Sequence, residues 1–405
     1  MPLNPANDKI FNLLCEKLPR DIFRNLDLKY LEEPRGMFVG RGGILALPQN
    51  TKQVSLIVKI AAQNSIGIVP YGGGSGLVGG QVSPAKIPYI ILSLERMSAI
   101  KEIYPSENII IVEAGAILAE VQEAAKKVDR IFPLSLASEG TARIGGNLAT
   151  NAGGVNVLRY GSVRNLCLGL EAVLPDGSVF NGLNRLYKDN TGYDLRNLLI
   201  GSEGTLGIIT AASLKLSPKP SSNATALLAI KEPKVALRVL AIARSEVAEG
   251  ISALELMHRY GLEFLKKKIP SIRQPFKVFP EWLMLVDIGT GEGQSAEMAL
   301  EKITAKAFSD GLVEDAWIAQ SEAQRSDFWA IRENIPEANR LIGSISSNDI
   351  SLPLSEIPKF IDLAKMEIKK IGDFRINCFG HIGDGNLHYN IFPPLGANKN
   401  NYLNK

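Results

Sequence analysis

The 405-residue chain has only three histidines and three cysteines. Cys15, Cys167 and Cys378 are scattered with no CxxC pair, which excludes a disulfide framework and fits a reducing compartment. An excess of one charge is also missing. Forty-five Lys and Arg against 42 Asp and Glu leave a net charge of +3, so no concentrated basic surface is expected and no nucleic-acid partner. No segment approaches the roughly 18 uncharged apolar residues of a membrane span. The N-terminal MPLNPANDKIF lacks the basic region and apolar stretch of a secretory signal, so the expected location is cytoplasmic. Peripheral membrane attachment and homodimer contacts stay open. What is present, 45% hydrophobic and 21% charged residues, is the composition of a soluble globular enzyme. The length exceeds one ordinary core and predicts two domains.

Residues 39–220 read as short β-runs alternating with helical patterns and glycine-rich turns, after an N-terminal helical segment, 1–38. Strands are predicted at 42–48, 66–70, 87–94 and 108–116, with helices over 51–65, opened by an Asn50-Thr51 cap, and over 118–127. The Gly-, Ser- and Asn-rich stretch 135–161 is expected to be mostly loop. LCLGLEAVLPDGSVF (166–180) reads as a hairpin turning at Pro-Asp-Gly, and 206–220 as a closing strand pair. Pro218 and Pro220 mark a boundary. Beyond it, residues 221–405 alternate strands (TALLAI, WLMLVDI) with helices (VALRVLAIARSEV, SAEMALEKITAKAFSD), which predicts an α+β domain with helices on one face of a sheet.

Three constellations could carry chemistry. In PYGGGSGLVGG (70–80), Gly74, Gly76 and Gly79 satisfy G-x-G-x-x-G, but Gly79-Gly80 and Pro84 prevent the helix that a Rossmann fingerprint must open. The run is better read as a loop whose backbone N–H groups face a phosphate, against the alternative of a surface linker. Two further loops, 138–154 and 201–210, combine Gly with Ser, Thr and Asn, and three ligand-type loops in one unit are hard to explain as decoration. The third constellation is CFGHIGDGNLHYNI (378–391), holding two of the three histidines. With Gly383-Asp384-Gly385-Asn386 as the turn, Ile382 pairs with Leu387 and His381 lies opposite His388. Two imidazoles on one face could bind one divalent metal if a third ligand were found, or could be structural. His258, in ELMHRYG, reads as a helix-surface or packing histidine.

PYGGGSGLVGG, IGGNLATNAGG, RYGSVRNL, DNTGYDLRNLLIGSEGTLGIIT and GHIGDGNLHYN occur in the order found in FAD-linked oxidoreductases of the vanillyl-alcohol oxidase type. The chain most resembles their D-2-hydroxyacid dehydrogenase branch, which covers D-lactate, glycolate and D-2-hydroxyglutarate enzymes. The resemblance implies an α+β fold: a two-subdomain FAD-binding domain of the PCMH type, then an α+β substrate domain with an antiparallel sheet. It implies that Gly72, Gly73, Gly74, Ser75 and Gly76 hold the FAD pyrophosphate. Ser138, Gly140, Thr141, Gly145, Gly146, Ala149, Asn151 and Gly153 would contact the flavin and its linker. Glu203, Gly207 and Ile209 would take the adenine–ribose end, and Asn386 the isoalloxazine edge. No histidine precedes His258, so the FAD is expected to be non-covalent.

By the same resemblance, Arg332 would bind the carboxylate of a small 2-hydroxy acid, with Asn390 and His388 beside it. His381 and His388 would be metal ligands, zinc being the expected ion. The branch that oxidises hydroxyglutarate has a threonine and a lysine where this chain has Pro336 and Ser347, which favours a smaller or apolar substrate. The family's Glu-His-Gly segment, expected to supply a third ligand and the base, is absent before Lys405. The expectation is therefore a chain shortened at its C-terminus. The alternatives are a flavin-binding subunit inactive alone, or a non-redox FAD enzyme of the same fold. No segment identifies the electron acceptor.

Overall fold

The computed structural model describes residues 3–83 and 86–402, which form two compact units. The first takes residues up to Gly154 together with Tyr160–Lys219. Two larger sheets and a two-stranded one are described in it. In the four-stranded one, Phe23–Arg24, Gly42–Ala46, Tyr89–Ser93 and Ile68–Tyr71 lie side by side in that order, the last three parallel. A parallel pair needs a crossover, and the helix Thr51–Gln63 supplies it. Asn50 caps that helix by accepting from the Gln53 N–H at 3.0 Å, and its buried Val54, Ile57, Val58 and Ala61 form the packing face. The N-terminal helix Asp8–Lys17 adds Ile10 and Leu14 to the same core.

The second sheet of this unit is antiparallel, ordered Ile100–Tyr104, Ile109–Glu113, Ile208–Lys215, Cys167–Val173, Val179–Gly182. Its hairpin turns at Pro-Asp-Gly, with Val173 opposite Val179 and Gly177 at φ +83°. Two local expectations fail. Ile100–Tyr104 is an unexpected strand, because its IKEIY pattern is half polar at a sheet edge. Residues 206–220 are no strand pair: Ile208–Lys215 runs down the sheet centre, and Ser217–Pro218 bridges to Arg130–Ile131. Residues 135–161 are mostly loop as expected, with short helices at Ile144–Ala149, where Ile144 and Leu148 share a buried face, and at Val157–Tyr160.

The second unit takes Val155–Arg159 and the chain from Pro220 onward. Its seven-stranded antiparallel sheet runs Val313–Ile318, Ser222–Ile230, Trp282–Thr290, Ile251–His258, Arg375–His381, Asn386–Phe392, Ser346–Ser351. Helices cover both faces, where one was expected. Lys234–Val247, Ala296–Ser309 and Ile357–Ile371 pack on one side, and Arg259–Lys268, Glu322–Glu333 and Ile335–Ile342 on the other. Two-sided cover is why every residue of Trp282–Thr290 is buried, without alternation. The buried acid in that run, Asp287, accepts hydrogen bonds from Thr225, Arg325 and Trp329.

The His-containing hairpin has a different register from the one predicted. His381 lies opposite Asn386, and Phe379 opposite His388. The turn is Ile382–Gly383–Asp384–Gly385. Gly385 takes φ +95°, with its Cα too close to the Leu352 carbonyl for any side chain. Ile382 is fully buried in the apolar cluster instead of pairing. The register differs by two residues between partners, so the two histidines still share a face, on a diagonal.

Candidate functional site

The first unit has a cavity lined by parts of all three glycine-rich loops. Gly72, Gly73, Gly74, Ser75 and Gly76 contribute from the first, Ser138, Gly145, Gly146 and Ala149 from the second, and Glu203, Gly207 and Ile209 from the third. Gly140, Thr141, Asn151 and Gly153 do not line it. Residues 72–83 form no helix, in keeping with the rejected Rossmann reading; Pro84 lies outside the described residues.

Backbone packing explains why these loops converge. A Cβ on Gly73 would stand 2.0 Å from the Thr141 carbonyl oxygen, so only glycine lets the first loop lie on the second. Thr141 thereby acts through its backbone, and its hydroxyl turns to the Ser138 carbonyl at 3.2 Å. The third loop is tied to the second by Glu203 N–H to the Ala149 carbonyl, 2.9 Å, and Gly201 N–H to the Leu148 carbonyl, 3.0 Å. Glu203 and Asn151 both sit at positive φ, +50° and +49°. For a glutamate this costs roughly 1–2 kcal/mol. The Asn151 side-chain Oδ1 already accepts from the Ser162 hydroxyl and the Arg164 N–H, so that residue braces the loop.

Two observations fit a bound ligand in this cavity. Asn147 is 5% exposed, lines the cavity, and its Nδ2 has no hydrogen-bond partner among the described residues. A buried amide nitrogen without an acceptor is costly unless something else meets it. Gly146 faces open space: a Cβ there would meet nothing within 4 Å. Asn147 was not singled out in the sequence, where it is one of two asparagines in GGNLATNAGG. Gly146→Ala separates fold from ligand. Without cofactor it should leave stability unchanged or raise it by up to about 1 kcal/mol, since alanine suits a helix better than glycine. FAD affinity should nevertheless fall. Thermal unfolding with and without added FAD measures both, and parallel changes in the two would show the space to be unused.

The second unit carries a polar island on the sheet face under Glu322–Glu333. Arg332 is 5% exposed. Its Nε donates to Glu255 Oε2 at 2.6 Å, and its guanidinium stacks over the Phe379 ring at 4.9 Å. The two Nη groups have no hydrogen-bond partner among the described residues. Glu255 Oε1 meets His381 Nδ1, also at 2.6 Å. Burial would raise the Glu255 carboxyl, but Arg332 and His381 on either side outweigh it and hold it down to about 2. Glu255 was missed in the sequence. Its signal is a lone acid in the apolar strand ISALELMH.

The His388 ring is 5.5 Å from that of His381 and packs on Phe379. Its Nδ1 lies 3.5 Å from Asp349, which is mostly exposed. Asn390 is buried and donates to the Asn377 carbonyl at 3.4 Å. Asn386 spends its amide on Asp349 Oδ1 (2.6 Å) and the Ile350 carbonyl. Among the described residues no group of three His, Cys, Asp or Glu side chains could hold a metal ion. The expected zinc therefore has, among the described residues, two imidazole donors and no third. His258 ends a strand and caps the following helix, accepting from the Tyr260 N–H at 3.1 Å. The His258 ring packs against Trp282 at 4.7 Å, so of the two readings, helix-surface or packing, packing holds. His258 also borders a larger cavity, of about 780 Å³, lined by Cys378 and Tyr389 from the sheet face opposite Arg332.

No helix of the described residues is long and apolar enough to cross a membrane. Residues 43–182 match the FAD binding domain family, and 219–401 match the C-terminal domain of FAD linked oxidases. A probable mitochondrial D-2-hydroxyglutarate dehydrogenase of Oryza sativa subsp. indica is 38% identical over 366 residues, 90% of this chain and 65% of its own length. The chain thus spans less than two thirds of that relative. A D-2-hydroxyglutarate dehydrogenase of Xanthomonas citri pv. viticola is 34% identical over 360 residues, covering 89% of this chain and 75% of its own. The cytoplasmic expectation is overturned here, because the relatives from rice, Arabidopsis thaliana and Bos taurus are named as mitochondrial.

Among solved structures, an alkyldihydroxyacetonephosphate synthase aligns with TM-score 0.74 at 17% identity, over 96% of this chain and 82% of its own. A substrate-bound p-cresol methylhydroxylase aligns with TM-score 0.74 at 17% identity, over 98% and 86%. At that identity the two show the fold, an α+β FAD oxidase architecture with antiparallel sheets. With both domain matches in sequence order and 34% identity across three quarters of the Xanthomonas enzyme, the chain belongs to the FAD-linked oxidase family that contains the D-2-hydroxyglutarate dehydrogenases.

Proposed function

We propose that this protein oxidises a D-2-hydroxy acid to the 2-oxo acid, with FAD held non-covalently in the loop cradle of the first unit. The observation that carries this reading is the spacing of Arg332 and His381. Each is held at 2.6 Å by a different oxygen of one carboxylate, so guanidinium and imidazole stand side by side. A 2-hydroxy acid presents its carboxylate and its hydroxyl on adjacent carbons and matches such a pair. The planar Nη groups of Arg332 bind the carboxylate, and His381 Nε2 takes the hydroxyl proton. FAD, when bound, supplies the two-electron acceptor for the C2 hydride. Asn390 and His388 share the sheet face and line the same polar island.

The relatives are named for D-2-hydroxyglutarate, yet two residues favour a smaller acid here. Pro336 opens the helix Ile335–Ile342, and Ser347 lies opposite Asn390 with its hydroxyl 3.0 Å from that of Ser344. Neither offers a cation for a second carboxylate. Zinc would use His381 and His388, whose Nδ1 atoms both face carboxylates as in metal-bound histidines. Among the described residues these two are the donors such an ion would find.

The test is an anaerobic mix of the FAD-loaded protein with D-lactate or D-2-hydroxyglutarate, with and without added zinc. Bleaching of the flavin absorbance band by the D but not the L acids is expected, strongest with D-lactate. Acceleration by zinc would recast His381 as a ligand. An unbleached flavin with every D-2-hydroxy acid sinks the assignment.

A further inference from the structure

The first glycine loop lies along residues 141–147 of the second. A Cβ on Gly73 would strike the Thr141 carbonyl oxygen, with the Ala142 Cα at 3.2 Å, and one on Gly72 would stand 3.5 Å from the Gly146 Cα. This stretch opens the short helix Ile144–Ala149. Phosphates often sit on the free N–H groups at such an opening, but here the first two are spent. Ile144 N–H donates to the Ala116 carbonyl at 3.0 Å, and Gly145 N–H to the Ala114 carbonyl at 2.7 Å.

The amides of a glycine loop are neutral donors, whereas the pyrophosphate of FAD carries two negative charges. Among the described residues that line the cavity, Arg143 is the one cation and Glu203 the one acid. Arg143 is half-buried at the N-cap of the helix. Its Nη1 donates to the Gly115 carbonyl, and no carboxylate of the described residues pairs with it. Asn147 follows one turn later, its N–H closing onto the Arg143 carbonyl at 2.9 Å. Asn147 is also the residue whose buried Nδ2 lacks an acceptor. An unpaired guanidinium and an unmet amide donor on one cavity wall are both costly alone, and a single anion with several oxygens satisfies both.

We propose that Arg143 and Asn147 form the side-chain half of the pyrophosphate site: the guanidinium supplies the positive charge that the glycine loop lacks, and the Asn147 amide one further donor. The inference rests on the FAD cradle proposed above and adds the groups that balance the charge of its ligand.

The test is titration of the flavin-free protein with FAD and with ADP-ribose, which has the pyrophosphate and no flavin. Arg143→Gln should weaken both ligands by about 10- to 100-fold, as loss of a hydrogen bond to a charged group does. Arg143→Lys keeps the charge without the planar fork and should recover part of the affinity. Asn147→Asp has the same shape but turns a carboxylate on the phosphates, and should weaken both ligands too. Added salt should weaken FAD binding to wild type, and less so to R143Q, because screening acts on the charge that R143Q lacks. The flavin midpoint potential of R143Q should match wild type.

An R143Q protein that binds FAD as tightly as wild type overturns the proposal. So does a loss confined to FAD, with ADP-ribose affinity kept or the flavin potential shifted, because it puts the guanidinium on the ring. Circular dichroism of the flavin-free variants reports whether they fold. If they do not, the wild-type titration decides, since an FAD affinity indifferent to salt overturns the charge pairing. A wild-type chain that binds no FAD sinks the cradle itself, which is a different failure from any of these.

Discussion

Glu255→Ala is expected to destabilise the second unit by about 3–5 kcal/mol, because it strands a buried guanidinium that keeps no counter-charge. Despite its burial the Glu255 carboxyl is held well below its ordinary value by Arg332 and His381, which is the same interaction seen from the acid's side. The loss should come from the unpaired Arg332 more than from the missing side chain. A double variant, Glu255→Leu with Arg332→Leu, should therefore recover most of the stability while losing activity, since buried ion pairs replaced by apolar residues of similar size are often neutral.

Trp282, Trp317 and Trp329 are the chain's three tryptophans, and all belong to the second unit. Urea unfolding followed by tryptophan fluorescence reads this effect without interference from the first unit. The pH dependence has a definite sign. The folded carboxyl lies below its unfolded value, so its contribution is complete above about pH 4.5 and is lost as pH falls towards 2. The gap between wild type and the double leucine variant should narrow over that window. A single alanine variant as stable as wild type would falsify the burial argument.

Gly73→Ala is the second large effect, and it acts on the other unit. The added methyl would sit 2.0 Å from the Thr141 carbonyl oxygen and 2.9 Å from its carbon. Both are backbone atoms, which cannot swing aside as a side chain can. Forcing the two loops apart should cost about 1–3 kcal/mol, as overpacking usually does. Taken from the cradle, that is about 5- to 150-fold in FAD affinity. Gly72→Ala is the control one residue away, where a Cβ meets only the Gly146 Cα at 3.5 Å, an ordinary contact. Its protein should fold normally. Flavin content after gel filtration and titration of the apoprotein with FAD measure the difference. The tryptophan unfolding transition of both variants should match wild type, and equal flavin content in G73A would refute the close-packing account.

The readable parts of this protein are those governed by local chain chemistry. Gly79-Gly80 excluded a helix after the first glycine run. Asn50 announced the cap of Thr51–Gln63, and Pro-Asp-Gly located the turn between Val173 and Val179. Order along the chain also sufficed to place FAD-type loops in the first half and the histidine hairpin in the second. Periodicity could not separate a one-sided sheet from a two-sided one when the run WLMLVDI is apolar throughout. Helices on both faces appear only once the chain is packed.

The hairpin register was decided the same way, by burial of Ile382 and by the close approach of Gly385 to the Leu352 carbonyl. Arg332 and His381 could be named from their motifs, but the carboxylate that joins them could not. Glu255 lies 77 residues before Arg332 and 126 before His381, and no local pattern spans such distances. Chain chemistry named the reacting groups. Only the pairing of the strands Ile251–His258 and Arg375–His381, with a helix laid across them, brought one acid between the guanidinium and the imidazole and so decided how they are oriented.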